Sequence, residues 1–209
     1  MLGIHHFVLF LLSGLLLNMT PGADMLFIVS RSAAQGVRAG AMAALGVGAG
    51  CLVHVTAAAV GLSALIAASH TAFSVVKWLG AAYLVWLGIG LLRARVSAPS
   101  ALPALPAVPL RAVYLQGMLT NVLNPKIVLF FLAFLPQFVN ASAAHRGWAF
   151  LLLGVVFSVN GTLFNLGVVA VVSRTRARLG RIQTVAVWVR RLTGAVFVGL
   201  GIELALSQR

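Results

Sequence analysis

Carboxylates are almost missing from this chain. Asp24 and Glu203 are its only acids in 209 residues, against 15 lysines and arginines. A cation pathway wants several acids, so an ion channel or metal-ion carrier is poorly served. Cysteine is as scarce: Cys51 stands alone inside an apolar run. One thiol excludes an intrachain disulfide, a CxxC redox pair and a cysteine zinc set. A single membrane-depth histidine, one thiol and two distant acids make no nucleophile–base set and no metal cluster. The chain therefore reads as no enzyme, with no cofactor. Charge of either sign amounts to 8% of residues, where a soluble domain carries about a quarter.

What fills the chain instead is apolar. Hydrophobic residues make up 61% and the mean hydropathy is +1.06. One water-soluble core of this size cannot bury that excess. The net charge of +13 would suggest nucleic acid in a soluble protein. Here the basic residues lie between apolar runs, so the expected partner is the anionic face of a lipid bilayer and not nucleic acid. The first run lacks a basic leader and is followed by further long runs, so it reads as a span and not as a signal peptide.

A helix needs roughly 20 residues to cross the hydrocarbon, and its backbone must bond within itself there. Six runs qualify: 7–30, 41–69, 72–92, 112–136, 148–172 and 185–206. Arg190 and Arg191 shorten the apolar part of the last to 192–206, leaving a full crossing or a partly interfacial helix open. Eleven basic residues fall on the loops after the first, third and fifth runs, and three on the opposite side. The positive-inside rule makes the first set cytoplasmic and puts both termini outside. Trp78, Trp148 and Trp188 fit interfacial anchors, with Trp86 deeper.

Segment 97–109 carries Pro99, Pro103, Pro106 and Pro109, which reads as a semi-rigid linker. It divides the chain into a first three-helix block (1–96), a cytoplasmic linker (97–110) and a second three-helix block (111–209). Three is odd, so similar blocks must have opposite orientation. The expected fold is all-α: a polytopic membrane protein of six transmembrane helices in two inverted three-helix repeats.

The blocks resemble each other where they begin. The first reads Gly14-LLL-Asn18-M-Thr20-Pro21-Gly22-Ala23-Asp24, the second Gly117-MLT-Asn121-VL-Asn124-Pro125-Lys126. Each has a glycine, an asparagine, a proline and one ionisable residue at membrane depth. Proline removes a backbone donor and clashes with the preceding turn, so both helices should kink or unwind near Pro21 and Pro125. Matched breaks in two halves point to a transporter's central site. A charge at a helix centre costs about 2.5–3.5 kcal/mol, so Asp24 and Lys126 should face a cavity or each other. Counting along straight helices separates them by roughly 10 Å along the membrane normal. Opposite charges held apart suit a zwitterion, its ammonium toward Asp24 and its carboxylate toward Lys126 or the open N–H groups of a half-helix. The candidate substrate-binding residues are Asn18, Pro21, Gly22, Asp24, Asn121, Asn124, Pro125, Lys126 and Asn165.

Other polar residues admit two readings. Ser158, Thr162 and Asn165 share a helix face, to line a cavity or to bond a neighbouring helix, while Asn160 points away. His54 reads as a proton carrier or as a hydrogen-bonded packing residue. Gly46, Gly48 and Gly50 fit close helix packing, since a nucleotide loop would need a preceding strand. Lys77 and Glu203 sit at similar depth and read as an ion pair or as two snorkelling charges.

The stretch from Asn18 through Pro21-Gly22-Ala23-Asp24 and the stretch Gly117-M-L-T-N-V-L-N-P-K-I-V-L-F-F-L-A-F-L-P-Gln137 resemble the lysine exporter / homoserine–threonine exporter family (LysE/RhtB). So does the segment Arg31-S-A-A-Q-G-V-R-A-G. The resemblance covers nearly the whole chain. It implies a multi-pass protein of the bacterial cytoplasmic membrane that exports amino acids, with protons as coupling ion. It puts Pro21, Gly22, Asp24, Asn124, Pro125 and Lys126 on the family's motif positions. The family often has a second proline where this chain has Ala23, which implies a milder first break. With one acid near the site, a dibasic substrate has no second anchor, so neutral or homoserine/threonine-like amino acids are favoured. A carrier of cations, metal ions or other metabolites, a non-transporting membrane subunit, and a homo-oligomeric assembly stay open.

Overall fold

A computed structural model describes residues 2–93, 106–140, 143–174 and 179–206. The described residues are helical throughout and hold no strand, only an isolated bridge between Ile4 and Val139. The helices are α1 (Phe7–Met19), α2 (Ala23–Gln35), α3 (Val37–Ala68), α4 (His70–Arg93), α5 (Leu110–Val122), α6 (Pro125–Phe134), α7 (Arg146–Arg174) and α8 (Leu179–Leu206). A 3-10 turn, Leu135–Phe138, continues α6.

Each apolar run of the sequence lies on helix, and the first and fourth are split in two. The α1–α2 pair bends by 56° and the α5–α6 pair by 51°, so Ala23 in place of a second proline has not flattened the first bend. By length and composition α3 (over Val37–Ala64) and α7 can each cross a membrane, and each bent pair adds one more crossing. The described residues thus give two to four spans where the sequence suggests six; α4 contributes a shorter apolar stretch, Trp78–Arg93. The expected loop after the first span shrinks to Gly36. Its φ of 82° is left-handed, which glycine adopts without steric cost, so α2 stops and α3 starts within one residue. Arg31 is therefore helical rather than looped. Of the expected linker, 97–105 lies outside the described residues, while 106–109 is non-helical and Pro109 is the N-cap of α5.

The helices pair along their lengths. α3 and α7 run antiparallel: Gly40 faces Val169, Gly48 faces Thr162, and Gly154 faces Val55. α4 and α8 also run antiparallel, with Gly88 against Gly194 and Gly201 against Val85. α3 and α5 run parallel, Gly46 lying on the Tyr114 carbonyl and Gly50 on that of Met118. The glycine stripe of the sequence is therefore a packing surface. The α1–α2 pair lies against α7 and α8, and the α5–α6 pair against α3 and α4, so each broken helix packs on the other half of the chain.

Two apolar clusters fill the interior. One is rich in phenylalanine: Phe10, Phe130, Phe134, Phe138, Phe150 and Phe197 are all buried. The other is built of smaller residues near the linker: Ile28, Ala43, Ala44, Val47, Val113 and Val169. Large apolar side chains also cover the outside; Val8, Val60, Leu79 and Leu163 are exposed, as are all four tryptophans, Trp86 no less than the others. Such a surface belongs in lipid. Glu203 is exposed, and the Lys77 side chain lies outside the described residues.

The α3–α5 contact leaves no room for a side chain. A Cβ on Gly50 would lie 2.5 Å from the Met118 carbonyl oxygen and 2.9 Å from Asn121 Cβ, whereas one on Gly61 would meet nothing within 4 Å. Gly50→Leu is expected to destabilise the purified protein by about 1–3 kcal/mol in thermal unfolding, and Gly61→Leu to leave it unchanged.

Candidate functional site

Both helix breaks are satisfied locally before they build anything. At the first, Pro21 has no N–H to give, and Thr20 N–H bonds the Leu17 carbonyl instead of continuing the α-helical ladder. The carbonyl of Leu16 is thereby released, and it accepts from the Thr20 hydroxyl at 2.9 Å and from the Thr193 hydroxyl of α8 at 3.1 Å. Gly22 is extended, a conformation open to any residue. It lies beside Lys126: a Cβ there would stand 3.7 Å from Lys126 Nζ, in ordinary contact. At the second break Asn124 caps α6, its Oδ1 accepting from Lys126 N–H at 3.1 Å, and Pro125 takes the first helical position, where its missing donor costs nothing.

The breaks meet. Asp24, in the first turn of α2, accepts on Oδ2 from Asn121 Nδ2 at 2.8 Å and from Asn124 Nδ2 at 3.1 Å, both from the other broken helix. In return Lys126, in the first turn of α6, directs Nζ at the Thr20 carbonyl, 3.4 Å away. Among the described residues Lys126 has no carboxylate at ion-pair distance. The Asn121 carbonyl takes His54 Nε2 at 3.0 Å, so His54 is a buried hydrogen-bonded residue on the back of the site. The separation counted along straight helices does not describe the result. The bends turn Asp24 and Lys126 into one cavity.

The space between the cavity's lining atoms amounts to about 560 Å³, open solvent at its mouth included. Of the nine candidates, Asn18, Gly22, Asp24, Asn121, Asn124, Lys126 and Asn165 line it. Pro21 and Pro125 do not; they act on the backbone that bends around it. The opposite wall comes from α3 and α7 and includes Gly48, Cys51, Phe157, Ser158 and Thr162. The polar face of α7 does both things its spacing allows: Ser158 lines the cavity and donates to the Gly48 carbonyl at 3.2 Å. Apolar lining from Leu17, Met25, Val47 and Ile127 was not legible, because an aliphatic residue in an apolar run carries no mark of facing a hollow.

Among the described residues, three buried polar atoms of the lining have no partner: Asp24 Oδ1, Asn121 Oδ1 and Asn18 Nδ2. Two are acceptors and one is a donor. Buried polar groups are ordinarily paired, and each orphan costs about 1–3 kcal/mol. Both half-helices begin at the cavity, so their N-terminal ends add positive potential there. The arrangement offers two acceptors to a cation, and a donor, an ammonium and helix N-termini to an anion. A double-mutant cycle on purified protein should return a coupling of about 0.5–3 kcal/mol between Asp24→Ala and Asn121→Ala, and additivity between Asp24→Ala and Asn160→Ala.

Known proteins resemble the chain over its whole length. An uncharacterized membrane protein of Pseudomonas aeruginosa is 35% identical, covering 99% of this chain and 97% of its own. One of Vibrio cholerae is 31% identical, covering 98% of each. Proteins named leucine efflux protein follow, at 27% identity in Salmonella typhimurium and 29% in Klebsiella pneumoniae, each over 99% of this chain and 97% of its own. No solved structure matches the chain. The family of the LysE type translocator matches residues 15–208, and the chain belongs to that family of membrane proteins.

Proposed function

We propose that this protein exports neutral amino acids across the cytoplasmic membrane of its bacterium, binding them in the cavity between the two helix breaks. The carrying observation is the set of orphaned atoms. An α-ammonium between Asp24 Oδ1 and Asn121 Oδ1 supplies the donors those acceptors lack. An α-carboxylate accepts from Asn18 Nδ2 and Lys126 Nζ and lies at the N-terminal ends of α2 and α6. A zwitterion thus meets both needs where a simple cation or anion meets one. The side chain is left to the α3–α7 wall, where Val47, Cys51 and Phe157 stand beside the hydroxyls of Ser158 and Thr162, and among the described residues no charge lines the cavity beyond Asp24 and Lys126. That wall and the leucine efflux relatives favour leucine-like substrates, with threonine and homoserine next.

The architecture behind this reading is six spans in two inverted three-helix repeats, residues 1–96 and 111–209 joined by a cytoplasmic linker over 97–110, with both termini outside. Antiparallel pairing of α3 with α7 and of α4 with α8 is what equivalent helices of inverted halves must do, and it supports that arrangement. Protons are the proposed coupling ion. Asp24 is the one acid of the cavity, so a proton and a substrate ammonium compete for it, which is the minimum needed for exchange.

Counterflow of labelled leucine, threonine and lysine into proteoliposomes tests the reading. Leucine is expected to exchange saturably and faster under a pH gradient, lysine poorly, and leucine methyl ester, which lacks the carboxylate, not to compete. Asp24→Asn and Lys126→Met should each lower exchange about tenfold or more, since each strands a buried partner. If both variants exchange like the parent protein, the substrate is held elsewhere.

A further inference from the structure

Toward its two ends the cavity is flanked by different packing. At the end away from the linker the phenylalanine cluster is backed by backbone bonds: His5 N–H to the Phe138 carbonyl at 3.0 Å, Asn140 N–H to the Gly3 carbonyl at 2.9 Å, and the Ile4–Val139 bridge between them. At the linker end the small-residue cluster is thin, and beyond it, two turns along α2 from Asp24, lies Arg31. Its side chain is buried, 6% exposed. Nη1 donates to Gln35 Oε1 at 3.0 Å and to the Pro106 carbonyl at 3.1 Å; Nη2 donates to Gln116 Oε1 of α5 at 2.8 Å. The guanidinium lies 5.7 Å from the centre of the Phe27 ring. Gln35 reinforces the tie, its Nε2 donating to the Val108 carbonyl at 2.9 Å.

Among the described residues every acceptor in this cluster is neutral, and Arg31 Nε is buried without one. A buried charge without a counter-charge keeps a desolvation cost that neutral partners only partly offset. Gln116 and Pro106 are themselves exposed, so water competes at the edge. Separating α2 from α5 loses a few hydrogen bonds and returns the guanidinium to water. Opening the other end exposes phenylalanine and breaks backbone pairs with no such return. The ends therefore differ in what opening costs.

We propose that the linker end is the gate that opens from this conformation, and that Arg31 is its latch, holding α2 to α5 and to the last residues of the linker. The inference rests on the transport reading for its purpose but not for its test, because Cys51 is the chain's only cysteine, is buried, and lines the cavity. Its alkylation by a membrane-impermeant thiol reagent reports opening with no substrate present. In membrane vesicles of the two orientations, Arg31→Gln is expected to raise the Cys51 alkylation rate about tenfold in one orientation only, with Arg31→Lys in between. A rate within about twofold of the parent in both orientations, or an equal rise in both, overturns the latch. Should Arg31→Gln fail to fold, Gln35→Cys with Val108→Cys, joined by a short reducible bifunctional reagent, asks the converse. Cys51 alkylation, followed by mass spectrometry, should fall at least about fivefold and recover on reduction; an unchanged rate overturns the proposal.

Discussion

A single half-buried carboxylate in an apolar bundle governs the rest of this structure. Asp24 can exist there only where donors reach it, and an unbroken helix has none to spare. The donors are amides from the other half of the chain, Asn121 and Asn124, so the two halves must meet at this depth. That in turn needs α5 close to α3, which the glycines of α3 permit; Gly50 lies against both the Met118 carbonyl and Asn121. The bend after Asn121 then turns Asn124 and Lys126 inward. Remove any of these and the carboxylate is left without its partners.

The same group shows why the site is unfinished by its own protein. Asp24 uses one oxygen for two amides and leaves the other unpartnered, while Asn121 and Asn18 each leave one polar atom idle. Folding tolerates such orphans only when the surrounding packing holds them in place, and here α3, α5 and α7 do so through close glycine contacts. Lys126 stands in the first turn of a helix, where a positive charge is disfavoured, and its bond to the Thr20 carbonyl, at 3.4 Å, is long. A negative guest relieves both the ammonium and the helix end. Stability is thus supplied away from the cavity and withheld inside it.

The features legible in the sequence were those that local chemistry dictates. Pro21 and Pro125 forced breaks because proline cannot continue the ladder, and the charges beside them marked polar ground at membrane depth. The face shared by Ser158, Thr162 and Asn165 followed from helical spacing, and all three line the cavity. The relation between helices was less accessible. Linear counting held Asp24 and Lys126 apart because it takes helices as straight, and bends of 56° and 51° remove that premise. Arg31 counted as a loop charge for orientation, and nothing local showed that Gly36 would carry the helix past it into contact with a linker 75 residues on. The partner of His54, a carbonyl at a break, lies 67 positions away, beyond the reach of any local pattern.

The unequal packing at the two ends of the cavity bears on how such a bundle moves at all. The full-length helices are tied along their lengths, α3 to α7 and α4 to α8, by glycine contacts that allow little sliding. The broken helices are tied at their middles by the Asp24 cluster and at their ends by whatever lies there. A helix interrupted at its centre can swing one half without the other, because no backbone bond of the ladder crosses the break. If α2 alone leaves α5, the Asp24 cluster is strained but α1 keeps its seat against Phe134 and Phe138. The break therefore does two jobs with one set of residues. On the proposed reading it opens the backbone to a guest, and it divides the helix into a half that stays and a half that moves.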